Sequence, residues 1–309
     1  LIHPENTPIN SPYRFLAGVG LAYILCTSLL KEFNIDKETK SCLDLFCIGT
    51  IADMAPLKGA NRSLLKLGLS KISSSESRAI KGLLKISKIK SETITSEDIS
   101  FKIAPRINSI GRISKPDIII KLFSETNEEK LNKLLEFVEQ TNIRRKQMCN
   151  DTFKEALEKL ENSYSNNDSF IVLVGNNWHP GLVGIVASRI LDIYNRPVAV
   201  LTKSNSNLFT ASARAPKGFN LIASLDKCSH LLEKYGGHKS AAGFSVLEEN
   251  IIKLSQNLSE ISSNSDSLHN YSTVEPEAFI SFNRIDKNLL NQLENFQPFG
   301  IDNPELLFF

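Results

Sequence analysis

The chain has 309 residues, enough to bury substantial cores and to form two or three domains. Thirty-six Lys plus Arg against 34 Asp plus Glu leave a formal net charge of +2, so global charge assigns no partner. Five cysteines, at positions 26, 42, 47, 149 and 228, lack paired metal-site spacing and read as reduced structural thiols of an intracellular protein. No uninterrupted apolar run reaches membrane-spanning length, and the amino end lacks a basic segment followed by an apolar core.

The distribution of charge carries more than its sum. Residues 101 to 116 hold four basic side chains and no acidic one, and residues 189 to 239 hold eight basic and three acidic. Residues 240 to 280 reverse the balance, with one basic and six acidic. This asymmetry points to an anion-facing central surface.

In chain order, a proline-rich lead at 1 to 13 precedes an almost wholly apolar helix, FLAGVGLAYILCTSLLKEF. LDLFCIGTIADMAPL then reads as a strand-like segment at 43 to 48 followed by a polar turn. Asp53 stands alone there among apolar residues, and either caps the following helix or works on a metal or in catalysis. ANRSLLKLGLSKI reads as a short helix with Asn61 as its cap. Another helix begins near Ser75, and Asp98 caps or initiates the element after SETITSEDIS. In FKIAPRINSIGRISKP, Arg106, Asn108 and Arg112 surround a glycine turn, with guanidinium and amide donors suited to phosphate and sugar; the alternative for the arginines is structural ion pairing. From about 124 to 162 the pattern is a long charged-and-apolar helix without a sustained heptad, and SYSNNDS marks a boundary after it.

The stretch from Phe170 to Leu201 contains a buried strand, FIVLV, the turn GNNWHPG, a helix with one apolar face, and a second strand, PVAVL. Trp178 and His179 therefore fall at the C-terminal end of a strand, where α/β proteins commonly bind ligands. Trp178 either stacks on a base or packs in the core. LFTASAR reads as a strand that presents Ser212 and Arg214, and NLIASLDKCSHLLEKY as a helix. GGHKSAAGFSV follows, where Gly236 and Gly237 can bring backbone N–H groups to an anion beside His238. Serines from 255 to 267 read as a linker, and YSTVEPEAFISF as the start of a strand-rich unit.

The strings LAGVGLAYIL, GTIADMAPL, NRSLLKLGL, APRINSIGR, WHPGLVGIVASRI, SAR, GFNL, GGHKSAAGFSV and FQPFGIDNPELLF, in this order, resemble the RecJ-type single-stranded-DNA-specific exonucleases of the DHH phosphoesterase superfamily. The resemblance implies an α/β fold: a two-domain DHH/DHHA1 core joined by a long helix, then the beginning of a β-rich OB-type domain. The expected divisions are 1–123 for the C-terminal part of the DHH domain and 124–163 for the connecting helix. DHHA1 would occupy 168–262 and the OB-type start 268–309.

It further implies 5′ to 3′ hydrolysis of single-stranded DNA in recombination and repair with Mn²⁺ or Mg²⁺, the strand lying between the two domains. Asp53 matches the family's metal-ligating Asp. Arg106, Asn108 and Arg112 match its RxNxxGR pattern, and His179, Ser212, Arg214, Gly237 and His238 match DNA-contacting motifs of the second domain. The remaining metal ligands belong to upstream aspartate-rich and Asp-His-His motifs, so the sequence reads as a piece of a longer protein. FGIDNPE departs from the family's FGxGNPE at Asp302. The resemblance also implies a monomer in the bacterial cytoplasm, associated with the nucleoid when acting on DNA, and, as partners, a single-stranded-DNA-binding protein or a repair helicase. Two alternatives stay open: an enzyme for short oligonucleotides or small phosphorylated nucleotides, and a non-enzymatic nucleic-acid-binding protein.

Overall fold

The computed structural model describes residues 3–35, 42–89, 93–163, 169–205, 207–264 and 276–309. It divides into two compact units, Leu1–Asn142 with Val274–Phe309, and Ile143–Thr273.

In the first unit, helices α1 (Gly18–Glu32), α2 (Leu43–Ala52), α3 (Gly59–Ile72) and α4 (Arg78–Ile86) lead to a short turn α5 (Ser96–Asp98), then to α6 (Ala104–Ile113), α7 (Asp117–Ser124) and the first part of α8 (Glu128–Ser163). Phe46, Leu65, Ile80, Leu83, Ile99 and Ile110 are fully buried at its centre. The strand expected at 43 to 48 is helix α2. Buried residues Leu43, Phe46, Cys47, Ile48 and Ile51 lie around it, so its apolar run has no clear helical stripe and imitates a buried strand. Helix α3 packs close enough that a Cβ on Gly68 would stand 2.9 Å from the Leu43 carbonyl oxygen. Burial raises the Cys47 thiol to about 12, with the Asp44 carboxylate adding to the effect, so this cysteine stays a protonated packing residue.

Asn61 does not cap α3. It is buried inside the helix, and its Nδ2 donates to the Phe15 and Pro56 carbonyls at 2.6 and 2.9 Å. Asp98 instead completes a capping box with Thr95. The expected glycine turn around Arg106, Asn108 and Arg112 is also helical: a π-helical turn at Ile99–Ile103 runs into α6, which contains Gly111. Three isoleucines, at 99, 103 and 110, are fully buried along this segment, and their packing overrides the turn preference of Gly111. Pro105 follows directly on the π-helical turn, which is the irregularity expected where a residue without an N–H sits within a continuing helix.

Helix α8 serves two cores. Leu131, Leu135 and Val138 pack in the first unit, while Cys149, Ala156 and Leu160 pack in the second. The boundary expected at SYSNNDS falls mainly on residues 164–168, outside the described residues.

The second unit is built on a five-stranded sheet of order β1-β2-β3-β5-β4. Strand β1 (Ile171–Gly175) pairs in parallel with β2 (Val198–Lys203), and α9 (Val183–Tyr194) connects them. Strands β3 (Leu208–Arg214), β4 (Leu232–Gly237) and β5 (Ala241–Leu247) add antiparallel pairings. One sheet face buries Val198 and Val200 against Val186, Ala187 and Ile190 of α9. The other buries Leu201, Phe209, Ala213, Phe244 and Val246 with α10 (Leu221–Lys227) and α11 (Ile251–Ser263).

Two expectations change here. LEKYGG is edge strand β4 rather than a helical continuation; its side chains from Glu233 onward are exposed, so burial imposes no alternation on them. The serine-rich linker expected from 255 is helical as far as Ser263, because Leu254 and Leu258 are fully buried and Ser262 Oγ donates to the Ser169 carbonyl at 2.9 Å. The rest of that linker and the start of YSTVEPEAFISF, at 265–275, lie outside the described residues.

Residues 276–309 contribute α12 (Lys287–Glu294) and the isolated β-bridges Ala278–Phe308 and Gly300–Asn303. They join the first unit through Leu57 N–H to the Ile301 carbonyl at 2.8 Å and Ser96 Oγ to the Phe299 carbonyl at 2.7 Å. Asp302 takes φ +62°, the conformation a glycine would adopt readily, and its carboxylate pairs with Lys58 at 2.9 Å.

Candidate nucleic-acid interface

The turn after β1 is shaped by Trp178, which folds back over Gly175: a Cβ there would lie 2.1 Å from the indole. The indole is 5% exposed, its Nε1 donates to Glu155 at 2.8 Å, and the Trp178 carbonyl accepts from Thr202 Oγ1 at 2.6 Å. Trp178 is therefore core, and the base-stacking alternative falls because no ring face is available. The next residue, His179, is half-buried; its Nδ1 accepts from Gly181 N–H at 3.1 Å. A neutral imidazole in this arrangement carries its proton on Nε2 and can donate it outward.

Helix α9 begins immediately afterwards with no side-chain cap; the Ile185 N–H is taken by the Leu182 carbonyl at 2.9 Å, so Val183 and Gly184 supply the first-turn amides that can face an anion. The helix start lies directly over β3. A Cβ on Gly184 would stand 2.9 Å from Ser212 Oγ and 3.2 Å from Arg214 Nη2. Arg214 Nη1 in turn donates to Ser212 Oγ at 3.0 Å and to the Ala213 carbonyl at 2.8 Å. A helix amino end, a hydroxyl and a guanidinium thus converge, a donor set suited to a phosphate.

Strand register extends this point into a surface. Ser212 pairs with Gly243, and Gly243 with Gly236, so these positions share the face on which α9 lies over β2 and β3. Beyond α9, Gly236 and Gly243 are exposed. Neither glycine is required by packing: a Cβ on Gly236 would meet nothing within 4 Å, and one on Gly243 only the Ala211 carbonyl oxygen at 3.6 Å. Gly237 differs, since its φ of +148° and a built Cβ 2.4 Å from the Ala241 carbonyl oxygen forbid a side chain. Exposed His238 follows it and donates its backbone N–H to Ala241 at 2.8 Å. The structure therefore groups Ser212, Arg214, Gly237 and His238 around the Ala241–Gly243 segment of β5, with His179 in the turn leading to α9. Gly184, Gly236 and Gly243 complete the surface. The signal for Gly236 and Gly243 lay in strand register and that for Gly184 in the packing of α9 on β3, neither of which a one-dimensional pattern reveals.

The first unit presents a separate surface. Arg106 is an internal clamp: Nε and Nη2 hold Glu139 of α8 at 2.5 and 3.0 Å, and Nη1 donates to the Lys102 carbonyl at 2.6 Å. Its role as an open phosphate donor is corrected to the structural ion pair, because the guanidinium is already engaged and only 12% exposed. Asn108, Gly111 and Arg112 remain exposed on α6. Asp53 is the exposed C-cap residue of α2 and does not cap the next helix. No group of three or more His, Cys, Asp or Glu side chains with metal-binding geometry occurs among the described residues. One carboxylate does not form a divalent-metal site, which takes several oxygen or nitrogen donors.

Comparison with known proteins agrees with this architecture. The model of the DHHA1 domain matches residues 167–264. The chain is 33% identical over 307 residues to the single-stranded-DNA-specific exonuclease RecJ of Bacillus subtilis, covering 99% of this chain and 38% of that protein. It is 32% identical over 274 residues to RecJ of Escherichia coli, covering 83% of this chain and 47% of the relative. The crystal structure of RecJ from Thermus thermophilus in complex with Mn²⁺ superposes with a TM-score of 0.85 at 28% identity, over 99% of this chain and 45% of the other. The chain thus spans less than half the length of these relatives. With its α/β architecture, its long α8 and its DHHA1 unit, the chain belongs to the RecJ-type family of the DHH phosphoesterase superfamily.

Proposed function

We propose that the chain is the strand-binding portion of a 5′ to 3′ exonuclease that hydrolyses phosphodiester bonds in single-stranded DNA. The observation that carries this reading is the convergence of the α9 amino end, Ser212 and Arg214 beside an exposed, glycine-floored sheet face. A phosphate binds where the donors meet, and the absence of side chains at Gly236 and Gly243 lets a strand approach the backbone. Backbone charge is the main attraction, so binding is salt-sensitive and weakly sequence-selective. His179 and His238 add donors along the same strand, and Asn108 and Arg112 supply a further polar surface on α6.

Asp53 is proposed as one ligand of the Mn²⁺ or Mg²⁺ that the family resemblance implies; by itself it does not fit such an ion. The resemblance also carries a monomeric, bacterial cytoplasmic protein that partners a single-stranded-DNA-binding protein or a repair helicase. No described helix is long and apolar enough to cross a membrane.

The test uses the full-length protein with Mn²⁺ on long and two-nucleotide 5′-phosphorylated single strands. Digestion of the long strand from its 5′ end is expected, with at least roughly hundredfold loss in Asp53→Ala and retained DNA binding. Preference for the dinucleotide would replace this reading with a short-oligonucleotide enzyme, and binding without hydrolysis would replace it with a non-enzymatic one.

A further inference from the structure

The opposite end of the same sheet face has chemistry that the anion site does not use. Leu208 at the start of β3 pairs with Leu247 of β5, and Ser245 pairs with Lys234 of β4. By two-residue alternation these four side chains share the face of Ser212 and Gly243. With Asn205, Asn207 and Glu233 they line a cavity of about 390 Å³. Leu208 and Leu247 are half-buried, whereas Asn207 and Lys234 are exposed at the rim. The Asn205 side chain accepts from Leu208 N–H at 3.1 Å, and the Asn207 carbonyl accepts from Glu248 N–H at 2.9 Å, which fixes the backbone of this corner.

Charge distinguishes the ligand part that fits here. The lining holds one amine, Lys234, and one carboxylate, Glu233, and neighbouring Lys203 is paired with Glu248 at 3.4 Å, so the formal charge around the cavity is not net positive. An apolar floor edged by amides, an amine and a carboxylate instead suits a flat group with an apolar face and a hydrogen-bonding rim, which describes a nucleobase. Ser212 lies four residue steps along β3 from Leu208, about 13 Å at strand spacing. A base in the cavity is therefore displaced along the strand from the phosphate held at Ser212 and Arg214.

We infer that this cavity is a base-binding subsite for an internal nucleotide of the bound single strand; the inference rests on the proposed strand-binding function. It tolerates different bases because the floor contacts a ring face and the rim offers both donors and acceptors.

The test measures binding of the full chain to a ladder of 5′-phosphorylated oligodeoxynucleotides, from mononucleotide to hexamer, alongside Lys234→Ala and Asn207→Ala variants checked for native thermal unfolding. Each variant is expected to bind roughly three- to tenfold more weakly once the strand is long enough to reach the cavity, and normally to shorter strands. An abasic residue at that threshold position should reproduce the loss in the unmodified chain and add little to the variants. Equal loss at every length, no loss at any length, or an undiminished abasic effect in both variants would overturn the subsite. Arg214→Ala is the control for the underlying reading: it should weaken binding at all lengths, and unchanged binding there would reject the anion site itself.

Discussion

Arg106 and Arg214 carry the same guanidinium and both resemble phosphate contacts in the sequence, yet their surroundings give them different work. Arg106 is held by Glu139 and backbone carbonyls, whereas Arg214 lies beside Ser212 and the uncapped start of α9. Sequence could not separate them because Glu139 lies 33 residues from Arg106, on another helix. Arg106→Ala should lower unfolding stability by about 2 kcal/mol, because it leaves the partly buried Glu139 carboxylate unpaired. A urea titration checks this; unchanged stability with weakened DNA binding would return Arg106 to a phosphate-contacting role. The opposite lesson comes from Trp178, whose packing alternative was visible from residue type but whose orientation was fixed only by contact with Gly175 and Glu155.

At the scale of elements, legibility followed periodic burial. Strand β3 alternates buried and half-buried positions, so LFTASAR announced both the strand and the side shared by Ser212 and Arg214. Helix α9 was readable from its apolar stripe, and α8 from its length and mixed charge. Strand β4 is not, because exposed edge residues have little need to alternate, and α2 reads as a strand because packing surrounds it. The adjacent glycines of β4 now make a discriminating pair. Gly236→Ala should leave thermal unfolding within about 0.5 kcal/mol of the parent yet weaken DNA binding, since its Cβ enters the space above the face. Gly237→Ala should cost about 1–3 kcal/mol, because φ and the β5 backbone both oppose a side chain. Differential scanning calorimetry paired with DNA titration separates the effects; equal loss of stability would remove the functional explanation of Gly236.

For the whole molecule, ordered motifs revealed the family and the long helix, while three-dimensional contacts revealed how the pieces divide. Residues 274–309 group with the first unit through bonds to residues such as Leu57 and Ser96, a relation invisible to local patterns. Likewise, the proposed strand-binding face draws on β3, β4 and β5, joined by sheet register, and on α9, joined by the contact of Gly184 with Ser212 and Arg214. The central claim is that this face binds the phosphates of a single strand through the α9–Ser212–Arg214 site. Its most direct test is a salt titration of single-stranded-DNA affinity for the unmodified chain and a folded Arg214→Ala variant. The account predicts weaker binding and a slope of log affinity against log salt reduced in magnitude by about one in the variant; the same affinity and slope as the unmodified chain would contradict it.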